Sequence, residues 1–229
     1  MNKIIMDTAL QFVQQYFPGC KAALLSGSVV RGEQTSSSDL DILILSNDSF
    51  RKSCQFMDWP IEVFVHNEDS LSYNFFLEEQ HGVPLLTRIC AEGIVLKGEE
   101  LGEALIREGK ELLNKGPSAW PKSQLDKMRY RITDLLDDLE GSTLPEEDLF
   151  TVTALTEKLH QFILRANQQW TGEGKWMYRS LKDFNPGMSK ELEKYLREYY
   201  QLSKKKELIQ YIDELLEPYG GRLFDNFSQ

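Results

Sequence analysis

The sequence predicts an α+β protein in which a small α/β unit is followed by an all-helical second half. Two observations favour this fold class. Short apolar or β-branched segments that suit strands occur in the first half of the chain. In the second half this strand signal disappears, and apolar residues instead recur at helical spacing. We therefore expect one domain over residues 1–115 and a helical domain over residues 116–229.

The first half opens with a predicted helix over residues 2–16, which Pro18 and Gly19 end. Three strands are expected next, over residues 22–25, 39–45 and 61–65. A helix-compatible stretch over residues 70–92, interrupted near Gly82 and Pro84, leads to a short strand over residues 94–96. These elements complete the α/β unit.

The second half follows a linker at Lys115-Gly116-Pro117 and carries two long apolar stripes. One stripe runs from Leu125 to Leu139 and the other from Leu149 to Ile163, so we expect these two helices to pack together. Later helices are expected over residues 175–182, 189–200 and 204–217.

Composition and charge limit the partners of the chain. The formal net charge of −10 over 229 residues makes a long nucleic acid or an anionic membrane a poor partner. The same charge suits a cationic ligand. The alternative is that the surplus carboxylates do no more than keep the protein in solution. The three isolated cysteines argue against a disulfide framework and a zinc site, and no signal peptide or membrane span is seen. We expect a cytoplasmic protein, either a monomer or a homodimer.

Two aspartates introduce the second predicted strand. Asp39 and Asp41 are two residues apart, so on a strand their carboxylates point to the same side. At about 4 Å separation two such charges repel by roughly 4 kcal/mol at an effective dielectric of 20, and a divalent cation reverses this repulsion. Their oxygen ligands favour Mg²⁺ or Mn²⁺ over zinc. The pair therefore predicts a metal site.

A Gly-Ser pair ends the first predicted strand. At Gly27 and Ser28 a phosphate can approach backbone amides and a hydroxyl without an intervening side chain. Neither the Walker spacing nor the dinucleotide glycine fingerprint is present. The alternative is an ordinary turn at the end of a strand.

Glu62 lies within the third predicted strand, among apolar neighbours. An ionised glutamate there needs a compensating partner, which the metals bound by the two aspartates would supply. Glu62 is then a metal ligand, a general base for an attacking hydroxyl, or both. The alternative is an acid on a half-exposed edge strand.

Taken in order, these residues resemble the DNA polymerase β type nucleotidyltransferase superfamily. The shared pattern is Gly27-Ser28, Gly32 four residues later, Ser38-Asp39-Leu40-Asp41 on a strand, and an acid on a later strand. The segment Pro60-Ile61-Glu62-Val63, followed by a helical second half, is most similar to the aminoglycoside nucleotidyltransferases, particularly the streptomycin and spectinomycin adenylyltransferases.

The resemblance implies both a fold and an activity. It implies a mixed sheet of about four strands with helices on one face. It also implies ATP or another nucleoside triphosphate held with two Mg²⁺ ions, and attack on the α-phosphorus by a substrate hydroxyl.

Four further residues are candidates for contacts with the nucleotide. Arg31 and Ser38 either contact the phosphates or stabilise the turn, and Lys175 and Arg179 either grip the triphosphate or are solvated.

Three functions remain open from the sequence. The first is Mg²⁺-dependent transfer of AMP, or another nucleoside monophosphate, to a hydroxyl of a small molecule such as an aminoglycoside-like antibiotic. Glu62 would then take the hydroxyl proton. The second is adenylylation of a protein or an RNA end. The third is a catalytically silent nucleotide sensor.

Overall fold

A mixed five-stranded sheet forms the centre of the first half of the computed structural model, which describes residues 3–225 and 227–228. The strands follow the order β3-β4-β2-β1-β5. Their bounds are β1 Ala22–Ser26, β2 Leu40–Leu45, β3 Phe50–Phe56, β4 Trp59–His66 and β5 Ile94–Lys97. Strands β2 and β4 are parallel, whereas β1 pairs antiparallel with β2 and β5, and β3 pairs antiparallel with β4.

Helices cover both faces of this sheet. Their bounds are α1 Lys3–Tyr16, α2 Ser28–Arg31, α3 Glu68–His81, α4 Leu85–Ala91 and α5 Glu99–Lys115. On one face, α1 packs Ile5 and Phe12 against a cluster that includes Ile42 of β2. On the other face, α3, α4 and α5 pack against alternate residues of the same strands, such as Leu43 and Phe64.

The predicted fold class is confirmed, with one correction to its detail. The helices were expected on one face, but the central strands are apolar on both faces, so each face needs a cover. Strand β3 was not predicted because its sequence, Phe50–Phe56, is mostly polar. It is an edge strand with most of its residues exposed, and such strands lack the apolar signal of buried ones.

Within the described residues of the second half, all regular structure is helical. Its helices are α6 Lys122–Gly141, α7 Pro145–Ala166, α8 Lys175–Phe184, α9 Pro186–Leu202 and α10 Lys205–Leu216, followed by a 3₁₀ turn at Glu217–Tyr219. The predicted packing of the first two is confirmed, since Ile132 and Leu136 of α6 share one core with Leu155 and Leu159 of α7. The helices α8, α9 and α10 complete that core.

The backbone separates into two compact units, the first ending at Gly116 and the second beginning at Pro117. That these units are the two predicted domains, with separate functions, stays a proposal. Among the described residues, no helix combines the length and the apolar character that crossing a membrane requires.

Candidate active site

Three carboxylates converge at one end of the sheet. Asp39 immediately precedes β2, Asp41 is the second residue of β2, and Glu62 lies on β4. The parallel pairing of these strands places Asp41 directly beside Glu62. One oxygen atom from each of the three side chains lies within 4.8 Å of the others, and all three residues are partly buried. The register of two parallel strands therefore assembles the acids that the sequence predicted would come together.

The electrostatics of this acid cluster favour a cation. The pKa of Asp41 is raised to about 6, first because burial penalises its charge, and next because Asp39 and Glu62 repel that charge. Arg31 and Arg51 oppose this rise through their positive charges. An all-oxygen set of partly buried carboxylates is the donor set that Mg²⁺ and Mn²⁺ prefer. The residues present therefore fit a divalent metal ion.

The Gly27-Ser28 turn lies directly against the acid cluster. Strand β1 ends at Ser26, which pairs with Asp41 across the sheet. The next residue, Gly27, has a φ of 86°, and a Cβ atom there would lie only 2.0 Å from Asp41 Oδ2. Glycine is thus required both by the backbone conformation and by the close approach of the carboxylate. Any ligand held by this turn lies beside the acids.

Ser28 and Ser38 join the two sides of the turn. The Ser28 hydroxyl donates to Ser38 Oγ at 3.0 Å, and Ser38 Oγ accepts from the backbone N–H of Thr35 at 2.9 Å. These bonds connect the start of α2 to the loop that leads into Asp39. The structure therefore brings both predicted serines next to the acid cluster. Their part in phosphate binding stays a prediction.

Arg31 connects α2 to the end of α4. Its guanidinium donates to Glu92 at 2.6 Å and to Glu33 at 3.0 Å, and Glu92 also accepts from Arg88 at 3.2 Å. These ion pairs match the structural alternative for Arg31, which is stabilisation of the turn. A role in binding phosphate stays a prediction.

One residue of the site was missed by the sequence analysis. Arg51, on the unpredicted strand β3, donates from Nε to Glu62 Oε1 at 2.7 Å, and its Nη2 lies 2.7 Å from the same oxygen. Its guanidinium also lies over the Phe64 ring, 4.9 Å from the centroid. Most of β3 is exposed and its sequence carries little strand signal, and no sequence signal pairs Arg51 with Glu62.

A cleft of about 320 Å³ opens beside the acids, on the side of β3. Its lining residues are Asp39, Ser53, Cys54, Gln55, Pro60, Ile61 and Glu62. The Gly27-Ser28 turn follows β1, on the opposite side of β2 from this cleft. The acid cluster is therefore accessible from the β3 edge, which leaves room for a second molecule next to Glu62.

Comparison with known proteins identifies the family. The model of the nucleotidyltransferase domain family matches residues 6–134, which is more than half of the chain. The chain belongs to the nucleotidyltransferase domain family. A crystal structure of a nucleotidyltransferase-like protein from Exiguobacterium sibiricum 255-15 aligns with 93% of this chain and 75% of its own, at 12% identity and a TM-score of 0.48. None of the curated proteins matches the chain.

The family carries the general activity. A nucleotidyltransferase transfers a nucleoside monophosphate from a nucleoside triphosphate, so such a triphosphate is a substrate of this protein. Members of the family typically use a divalent metal, and the acid cluster of Asp39, Asp41 and Glu62 has the composition to hold one. The match includes the Gly27-Ser28 turn and all three acids.

The two remaining candidates for contacts with the nucleotide lie in the helical unit of this nucleotidyltransferase. Lys175 is the first residue of α8, and Arg179 follows one turn later. The Arg179 guanidinium lies over the Trp176 ring, 5.0 Å from its centroid. Their position at the beginning of a helix suits an anion. A contact with the triphosphate stays a prediction for both.

Proposed function

We propose that this nucleotidyltransferase transfers AMP from ATP, or another nucleoside monophosphate from its triphosphate, to a hydroxyl group of a small molecule. The observation that carries the proposal is the convergence of Asp39, Asp41 and Glu62 beside the Gly27-Ser28 turn. The negative charges of the three carboxylates repel one another, and Mg²⁺ or Mn²⁺ with a triphosphate makes this arrangement favourable. In this proposal the three acids are the catalytic residues and the metal ligands.

The proposed reaction is a direct displacement at phosphorus. The acceptor hydroxyl oxygen bonds to the α-phosphorus, the bond to the departing pyrophosphate breaks, and Glu62 accepts the hydroxyl proton. When bound, two divalent cations would neutralise charge on the triphosphate and on the attacking oxygen. Glu62 suits the role of base because it lines the open cleft, where an acceptor has room.

The nucleotide is proposed to lie on the other side of the acids. Gly27 offers a backbone without a side chain of its own, next to Asp41, and Ser28 adds a hydroxyl that bonds to Ser38. Ser38 and Arg31 extend this surface, and Lys175 and Arg179 are proposed as further contacts of the nucleotide. A triphosphate on the side of the turn would direct its leaving group away from the cleft at β3.

The acceptor is proposed to be a hydroxylated molecule, and a cationic one such as an aminoglycoside suits best. The net charge of −10 and the acids that line the cleft support an amine-bearing compound. Both features disfavour a long nucleic acid. Antibiotic modification is one form of this activity, with the protein acting as a monomer or a homodimer in the cytoplasm.

A pyrophosphate-release assay tests this function. Purified protein is mixed with Mg²⁺, each of the four nucleoside triphosphates in turn, and a panel of hydroxylated compounds that includes aminoglycosides. We expect release that depends on the acceptor and falls to background in Asp39→Asn and Asp41→Asn, with the exposed Asp48→Asn as a matched control. Glu62→Gln should lower the rate by about a hundredfold or more, as expected for the loss of a general base.

The outcomes separate the proposed function from its alternatives. Release that is unchanged in the two aspartate variants contradicts the site assignment. A mass increase by one nucleotide on a protein or an RNA end, without small-molecule turnover, favours that class of acceptor. Tight ATP binding with no turnover under any acceptor condition favours the sensor.

A further inference from the structure

Arg51 neutralises one of the three site carboxylates. It forms two close contacts of 2.7 Å with a single oxygen, Glu62 Oε1. Its positive charge also opposes the rise that burial and the neighbouring carboxylates cause in the pKa of Asp41. Arg31, the other arginine that affects Asp41, is held by Glu33 and Glu92 at 3.0 and 2.6 Å. Arg51 thus directly contacts the acid cluster through Glu62.

The register of the sheet explains why Arg51 reaches this position. Ser53 pairs with Glu62, and Arg51 pairs with Phe64, so side chains two residues apart on β3 lie on the same face as Glu62. The ring of Phe64 supports the guanidinium from beneath. The Arg51 side chain nevertheless remains 57% exposed, compared with 21% for Glu62. An exposed arginine on an edge strand can leave its partner at low cost, because such ion pairs contribute little stability.

We propose that Arg51 is the counter-ion of the acid cluster in the metal-free protein, and that divalent cations bind in competition with it. Arg51 is then a positioning residue: it holds Glu62 in place until the metal arrives and releases it when the metal binds. This inference rests on the proposed metal site of Asp39, Asp41 and Glu62.

Arg51 and a divalent cation compete because both carry positive charge and because Arg51 already occupies Glu62 Oε1. A metal bound through Glu62 Oε1 must displace both contacts from Arg51. A metal bound through the other oxygen would still lie close to a fixed positive charge, which weakens its binding. In either case, removal of the guanidinium leaves a more negative site with a free carboxylate. The affinity for a divalent cation should therefore rise when Arg51 is replaced by a neutral residue.

Titration with Mn²⁺ alone, followed by electron paramagnetic resonance of the free ion, tests this inference without any substrate. We expect Arg51→Gln to tighten Mn²⁺ binding by about three- to tenfold, as removal of one charge near the site predicts. Arg51→Lys keeps the charge and should stay near the wild-type affinity. Lys52→Gln is the matched control, because it removes the same charge from the adjacent exposed residue, which pairs with Val63 on the opposite face.

Each result decides the inference. Tighter binding in Arg51→Gln, with wild-type affinity in Lys52→Gln, supports it. Unchanged or weaker binding in Arg51→Gln, while the wild-type protein binds Mn²⁺, overturns it and leaves the proposed function standing. No Mn²⁺ binding above that of Asp41→Asn in the wild-type protein overturns the metal site and this inference together. Far-UV circular dichroism verifies that each variant is folded, and Arg51→Lys provides a second variant at the same position.

Discussion

Gly27 couples the turn after β1 to the acid cluster, and Gly27→Ala measures the strength of that coupling. Gly27 has φ and ψ of 86° and −162°, a region of backbone conformation that is essentially restricted to glycine. A Cβ atom at this position would lie 2.0 Å from Asp41 Oδ2. The substitution therefore forces the turn or the Asp41 side chain to move.

The expected cost has two parts. The backbone conformation costs about 1–3 kcal/mol for a residue other than glycine. Relief of the contact with Asp41 adds about 1–3 kcal/mol, as is usual for overpacking. We therefore expect Gly27→Ala to lower the free energy of unfolding by about 2–6 kcal/mol. Because displacement of a reacting group by about 1 Å lowers rates by roughly a hundredfold, pyrophosphate release should fall by a similar factor.

Two glycine controls separate strain from contact. Gly32 has a φ of 72° but no atom within 4 Å of an added Cβ, so Gly32→Ala should cost about 1–2 kcal/mol from strain alone. Gly19 has neither a positive φ nor a close neighbour, and Gly19→Ala should have little effect. The measurements are urea denaturation and Mn²⁺ titration. If Gly27→Ala is no less stable than Gly32→Ala and binds Mn²⁺ like wild type, the coupling between the turn and Asp41 is refuted.

Three further predictions follow from single side chains. Since the pKa of Asp41 is raised to about 6, protons should compete with Mn²⁺, and the protein should bind Mn²⁺ more weakly at pH 5 than at pH 7. A titration that shows equal affinity at the two pH values would contradict this. Burial lowers the pKa of His160 to about 4, so the unfolded chain binds a proton between about pH 6.5 and 4 that the folded protein does not. The free energy of unfolding should therefore fall by about 2–3 kcal/mol from pH 7 to 4.5, and His160→Gln should reduce that fall; an unchanged pH dependence would argue against it. Glu78 accepts from the backbone N–H groups of Leu86 and Thr87 at 2.6 and 2.9 Å, so Glu78→Ala should cost about 1–3 kcal/mol in urea denaturation, and Glu78→Gln less.

The elements of the fold differ in how readily their sequences revealed them. The apolar strands β1, β2 and β4 and the apolar stripes of α6 and α7 were predicted because burial imposes a regular spacing of apolar residues. Strand β3 was missed because an exposed edge strand needs little apolar surface. Helix α1 was predicted, but its place on the second face of the sheet was not. A stripe of apolar residues predicts that one side of a helix is buried. It does not show which surface that side packs against.

The candidate site divides in a similar way. Asp39, Asp41 and the Gly27-Ser28 pair could be identified from the sequence because they are close together along the chain and their spacing has chemical meaning. The closeness of Asp41 and Glu62 could not be identified from the sequence, because it depends on the parallel register of β2 with β4. The bond between Arg51 and Glu62 depends on a further pairing, that of β3 with β4.

By itself, the sequence determined the α+β class, the helical second half, and a nucleotidyltransferase pattern with two aspartates suited to a metal ion. Local spacing specifies these, since periodicity and short motifs act over a few neighbouring residues. Only the tertiary structure decided that three carboxylates meet within 4.8 Å, that Gly27 lies against Asp41, and that an arginine neutralises Glu62. Those contacts join residues that are far apart in the chain, and strand order and register fix which of them become neighbours.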